Sequence, residues 1–265
     1  LKKGEKEVLT LDAGDLLFRT QNIPEARKEQ EVKKAELILE GYKQSGYDAI
    51  NVGDLDLVLG KDFLLEQQKN SQIPFLSANI VDKERGKSVF TPYLIRDIAG
   101  LRVGVFGLIS DKITLKSGRK VIPDLLVKNH TEVAQEMVGK LRKKCDLLIC
   151  LSHLGLKGDR ELAQEVKGID IIVSGHGRSL LKQPNKVKST LILQAAQLGK
   201  YVGKLDLHLI GKGPYQLTEA KSGEEPSKKQ SLFTNTAVSM GNKIKSDPRI
   251  AKLTAEYRRF CGQRR

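Results

Sequence analysis

The sequence predicts an α/β fold in which two β-sheets pack face to face and helices cover the outside. Three observations lead there. Short apolar runs of strand length alternate with longer, charge-patterned segments. Several of those runs stop at Gly-Asp or Gly-His pairs, as strand ends do. Over 265 residues, 39% hydrophobic against 29% charged is the balance of a chain with a sizeable core, and the length suits one large domain.

Taken in order, residues 8–11, 49–52, 74–76, 103–109, 147–151 and 169–173 read as strands, each a brief run of Val, Ile, Leu or Phe. Helices are expected at about 25–43, 63–69, 130–144 and 159–166. In the first, Val32, Ala35, Leu39 and Tyr42 fall three or four apart and form one apolar stripe, while Glu29 and Lys33 keep the other side polar. Residues 190–196 and 201–210 read as further strands, the second with Val202, Leu205, Leu207 and Leu209. From 211 to 231 Gly, Pro, Ser and Lys give a linker composition, and 247–259 is expected to form a last amphipathic helix.

Charge and cysteines narrow the partners. With 46 Lys and Arg against 32 Asp and Glu, the net charge of +14 favours anionic ligands. The basic residues are dispersed, Trp is absent and aromatics are 5%, so no stacking platform for single strands and no specific nucleic-acid partner is expected. No run approaches the roughly 18 apolar residues of a spanning helix, and no charged-then-apolar leader opens the chain. Cys145, Cys150 and Cys261 form neither a CxxC pair nor an even framework. Cys150, inside an apolar run, reads as a small core residue.

Four polar side chains stand at the expected strand ends: Asp15, Asp54, His153 and His176. In layered α/β proteins that rim is where ligands bind. A glycine precedes Asp15, Asp54 and His176, so the chain can turn tightly and project the side chain. Two carboxylates with two imidazoles suit Zn, Mn or Fe(II) better than Ca, which prefers oxygen alone. Asp12 either orients a ligand from behind or caps the turn. Asn79 reads as a turn residue, His130 as a helix-start residue, and His208 as pointing away from Leu207 and Leu209.

Five segments then carry a resemblance: Asp-Ala-Gly-Asp-Leu-Leu-Phe at 12–18, Leu-Ser-Ala-Asn-Ile at 76–80, Leu-Ser-His-Leu-Gly at 151–155, Ile-Asp-Ile-Ile-Val-Ser-Gly-His at 169–176, and Gln-Ala-Ala-Gln-Leu-Gly-Lys-Tyr-Val-Gly-Lys-Leu-Asp-Leu at 194–207. In this order, over about residues 7–210, they resemble the N-terminal metallophosphoesterase domain of the 5'-nucleotidase family. The resemblance implies a four-layer α/β/β/α calcineurin-like fold and a two-metal centre that activates water for attack on phosphorus. It makes 1–210 a metallophosphoesterase-like domain whose first strand and Asp-x-His motif are expected upstream of Leu1, 211–231 a linker, and 232–265 a C-terminal helical extension, with further domains outside this stretch.

Carried over residue by residue, Asp15 matches the bridging aspartate, and His153 and His176 the histidines of the second metal position. Asp54 stands where an asparagine ligand is expected. Leu55 replaces the histidine that stabilises the transition state, Val58 its acidic partner, although Asp56 keeps an acid nearby. Arg178 replaces the last ligand of the Gly-His-x-His/Gln motif and, being a permanent cation, suits phosphate rather than metal. The resemblance therefore implies a divergent metallophosphoesterase holding one divalent ion, Mn, Zn or Fe, and a phosphoester or nucleotide, with hydrolysis weak or lost. The alternative is a non-catalytic metal- or phosphate-binding module, or a polar cluster in which Arg178 pairs with Asp15 or Asp54. Family members are commonly exported, so a periplasmic or secreted location is expected.

Overall fold

The computed structural model describes residues 8–211, 213, 215–220, 230–241 and 244–262. Its central element is a six-stranded sheet in the order Asn185–Val187, Thr190–Leu193, Ile171–Ser174, Leu147–His153, Leu101–Ile109 and Tyr93–Ile98. The inner four strands are parallel and the two edges antiparallel. Period-two alternation assigns its faces. Val103, Val105, Leu147, Ile149, Leu151, Ile171 and Leu191 point into the space between sheets. Their neighbours Phe106, Leu108, Leu148, Cys150, Ile172 and Ile192 point to two covering helices, α3 (His130–Leu141) and α4 (Gly155–Glu165).

Facing the inner side are two three-stranded sheets: Leu11–Asp12, Ala49–Asn51 and Phe75–Leu76, and then Tyr201–His208, Leu232–Ser239 and Thr218–Glu219. Ala49, Leu76 and Phe233 share one apolar cluster with the six-stranded sheet. Outside the first small sheet lie α1 (Glu25–Ser45) and α2 (Lys61–Ser71), whose Ala35, Leu39 and Leu64 pack against Ile50, Val52 and Phe75. The layers therefore run helix, sheet, sheet, helix, as the sequence predicts. Helix α5 (Pro248–Gly262) lies on α1, where Tyr257 donates to the Gln30 carbonyl at 3.4 Å.

At their C-terminal ends the sheets almost touch. A Cβ on Gly107 would stand 2.4 Å from Asn51 Oδ1 and 2.5 Å from the Leu76 carbonyl, so only glycine fits. Asn79 joins the two ends. Its Oδ1 accepts from Ile109 N at 3.0 Å, while its Nδ2 donates to the carbonyls of Ile109 at 2.7 Å and Lys128 at 3.1 Å. It is thus a buried bridge, not a simple turn residue.

Three expectations are corrected. The predicted strand at 8–11 pairs only over Leu11–Asp12, because the Asp48 carboxylate takes Thr10 N. Within the expected linker, 221–229 lie outside the described residues, but Tyr215 and Leu217 are buried between the sheets and Thr218–Glu219 is a strand. The stretch at 232–265 is not all helix: Leu232–Ser239 pairs over eight residues with Tyr201–His208, satisfying backbone groups that strand would otherwise expose. No described helix is long and apolar enough to cross a membrane.

Candidate metal centre

Four strand ends deliver the four side chains to one point. Asp15 and Asp54 follow the strands Leu11–Asp12 and Ala49–Asn51, His153 ends Leu147–His153, and His176 follows Ile171–Ser174. Their ligand atoms all lie within 4.8 Å of one another. His153 Nε2 stands 3.2 Å from Asp15 Oδ2, 3.2 Å from His176 Nδ1 and 3.6 Å from Asp54 Oδ1, which is itself 3.6 Å from His176 Nδ1. A tetrahedral shell with bonds of about 2 Å has ligand atoms about 3.3 Å apart. The donor set therefore could hold a metal ion.

Two further observations bear on that fit. Asp54 Oδ1 is buried without a hydrogen bond, although its other oxygen accepts from Gln21 Nε2 at 3.0 Å. His153 Nδ1 donates to the Ala13 carbonyl at 2.9 Å, which turns Nε2 toward the cluster. His153 has a fully buried side chain, whereas that of His176 is 46% exposed, so the centre opens to solvent on one side. Burial works to lower the His153 pKa, but Asp15, Asp54 and the Ala13 carbonyl outweigh it and raise it to about 10. Burial works to raise Asp54, and the two histidines with Gln21 hold it below the usual carboxylate range.

Glycine allows the close approach, though not everywhere as the sequence suggests. Gly14 does take a left-handed φ of 95°, but at the other two turns the demand is space. A Cβ on Gly53 would lie 2.3 Å from Asp15 Oδ1, and one on Gly175 2.4 Å from the Ala13 carbonyl. Asp15 and His176 themselves carry positive φ, 57° and 52°, a strain that collects at functional positions.

Sequence reasoning underrated Asp56. Fully buried, it accepts the backbone N–H groups of Asp15, Leu16, Leu17 and Gly53 at 2.9–3.0 Å, locking the two aspartate loops together. Burial and the neighbouring Asp15 push it up to about 7, against the Leu17 and Gly53 donors and His153. The only hint was an acid in Gly53-Asp54-Leu55-Asp56; Gln21 gave no signal at all. Asp12 accepts from Gly14 N at 2.9 Å and from the Tyr42 hydroxyl at 2.9 Å, so it caps the turn.

The remaining candidates lie elsewhere or take other roles. Leu55 donates its N–H to Asp15 Oδ1 at 2.9 Å while its side chain packs with Val58 in the apolar cluster beneath α1. Arg178 is exposed, and among the described residues it forms no ion pair with Asp15 or Asp54. His130 pairs with Asp111 at 2.8 Å, and the cap of α3 is Asn129. His208 is exposed.

No family model matches the chain. Among curated proteins, a 5'-nucleotidase of Vibrio cholerae is 30% identical over 230 residues, covering 75% of this chain and 40% of that protein. Two solved structures share the fold, both from Thermus thermophilus. The sulfate thiohydrolase SoxB superposes with a TM-score of 0.76 at 22% identity, over 94% of this chain and 42% of that one. A 5'-nucleotidase precursor gives 0.75 at 24%, over 98% and 51%. The chain thus spans between two fifths and about half the length of these relatives. With the layered fold, the ordered motifs and these relatives together, the chain belongs to the 5'-nucleotidase family, in its calcineurin-like metallophosphoesterase domain.

Proposed function

We propose that this chain is a divergent 5'-nucleotidase-like metallophosphoesterase that holds one divalent cation, Mn, Zn or Fe, at Asp15, Asp54, His153 and His176, and a phosphoester or nucleotide beside it. The observation that carries this reading is the convergence of four ligand atoms within 4.8 Å, one of them a buried carboxylate oxygen without a hydrogen bond. A bound divalent ion supplies Lewis acidity and neutralises charge on phosphoryl oxygens.

The chain's own residues divide the remaining work. Asp56 holds the backbone of the Asp15 loop, Gln21 holds the Asp54 carboxylate, and the Ala13 carbonyl orients the His153 ring. Arg178, exposed two residues past His176, offers a planar fork to phosphate oxygens. The side chain at position 55 has no proton to donate and no charge, and losing one such stabiliser costs about a hundredfold to a thousandfold in rate. Hydrolysis is accordingly weak or lost. The burial of Val58 in the core, with Leu55 packed against it, favours the second reading, a non-catalytic metal- or phosphate-binding module. An extracytoplasmic location belongs to the same proposal.

Metal analysis of protein purified without chelator, against a His153→Ala, His176→Ala variant, tests the centre. Equal, negligible metal in both refutes it. Phosphate release from nucleotides with added Mn, on wild type, Leu55→His and Arg178→His, tests the chemistry, with calorimetry reporting binding. The expected result is binding that depends on Arg178, slow wild-type release and faster release by Leu55→His. Fast wild-type release overturns the assignment to Leu55, and absence of binding leaves the module without its ligand.

A further inference from the structure

Behind the two histidines, on the helix side of the six-stranded sheet, lies a second buried polar group. Asp159, on α4, has no solvent exposure. It accepts a hydrogen bond from the Ser152 hydroxyl, and the Ser174 hydroxyl, which donates to the Gly175 carbonyl at 3.5 Å, lies near the same carboxylate. Ser152 immediately precedes His153, and Ser174 lies two residues before His176. Because side chains alternate across a strand, Ser152 faces α4 while His153 faces the cation centre. The two strand ends are also tied directly, with Gly175 N donating to the Ser152 carbonyl at 2.6 Å.

Among the described residues no Lys or Arg pairs with Asp159, and its Oδ2 has no hydrogen bond. A carboxylate buried this way is costly, and a leucine would pack α4 against the sheet at lower cost. Helix docking alone therefore does not account for an acid there. We propose that Asp159 is a positioning residue of the cation centre, holding from behind the two strand ends that present His153 and His176. This rests on the cation reading of the four-residue cluster.

Cobalt(II) titration followed by visible absorption tests it, because the spectrum reports ligand geometry. In Asp159→Leu, folded and with an unfolding midpoint no lower than wild type, cobalt binding is expected to weaken about 10- to 100-fold with an altered spectrum. Asp159→Asn, which keeps an oxygen for Ser152, is expected to recover most of it. Unchanged affinity and spectrum in Asp159→Leu overturn the proposal. If that variant does not fold, Ser152→Ala removes only the donor, and unaltered cobalt binding there overturns it equally. If wild type takes up no cobalt, the cation reading fails by itself. Nitrogen NMR of the His153 ring then decides on positioning: loss of the Nδ1–H hydrogen bond to the Ala13 carbonyl in Asp159→Leu supports it, and retention refutes it.

Discussion

Replacing Gly175 by alanine inserts one methyl group where the two sheets meet at the centre. Its carbon would stand 2.4 Å from the Ala13 carbonyl oxygen and 2.9 Å from His153 Nδ1, where ordinary contact begins at 3.4 Å. About 1 Å must be found, and the obstacle is backbone, which yields less readily than a side-chain tip. Overpacking of this size costs about 1–3 kcal/mol, and loss of the His153–Ala13 hydrogen bond adds about 1 kcal/mol. A total near 2–4 kcal/mol lowers the unfolding midpoint of a chain this long by roughly 5–15 °C. Freed from Ala13, the imidazole also loses the constraint on its tautomer, so metal affinity falls together with stability. Differential scanning calorimetry with and without manganese reads both. A midpoint within about 2 °C of wild type, with an unchanged manganese shift, would refute the claim that this glycine is required by the approach of the sheets.

Other expectations follow from the same contacts. Asp56→Ala strands four N–H groups, those of Leu17 and Gly53 in buried bonds, and should cost about 3–5 kcal/mol, read as loss of the cooperative transition; a stable, metal-binding variant contradicts the clamp. Arg142 bonds the Asp170 carboxylate and the carbonyls of Gly168, Cys145 and Asp146, so Arg142→Ala leaves a buried charge unpaired and should destabilise by about 3–5 kcal/mol in urea titration. Burial raises Asp159 from 3.8 to about 6, although Ser152, Ser174 and His153 pull the other way. A folded-state value above the unfolded one favours folding below pH 3.8, and that contribution disappears as pH rises through about 6. Relative to wild type, Asp159→Asn should therefore gain about 3 kcal/mol across that window and nothing further above it; a pH-independent difference rules this out.

Much of the layering is legible in the sequence because the strands are short and pure. In 147–151 the alternation of Leu147, Ile149 and Leu151 with Leu148 and Cys150 already separates two apolar faces, and both are filled. The four ligand candidates are legible for a related reason: polar residues placed just after such runs can only emerge at the rim. What supports them is not. Asp56 gains its meaning from four backbone donors on two loops about 40 residues apart, and no local pattern encodes that. The sequence pattern starts the fourth helix at Asp159, whereas α4 begins at Gly155 and carries that side chain round to the sheet. The strand Leu232–Ser239 escapes notice because its Thr-Asn-Thr centre lacks a continuous apolar run, and only pairing with Tyr201–His208 settles its conformation.

The centre is divided between the two halves of the sandwich: the small sheet supplies both aspartates, the large sheet both histidines, and the His153–Ala13 bond spans 140 residues. Neither half alone can bind an ion tightly, so affinity is conditional on docking and docking is reinforced by affinity. By mass action, a ligand at about a hundred times its dissociation constant adds about 2.7 kcal/mol to the docked state. An ion held there would act as a removable staple between the two sheets. Resistance to proteolysis in the loops around Asp15 and Asp54 should rise and fall with metal concentration even if no phosphoester is ever cleaved.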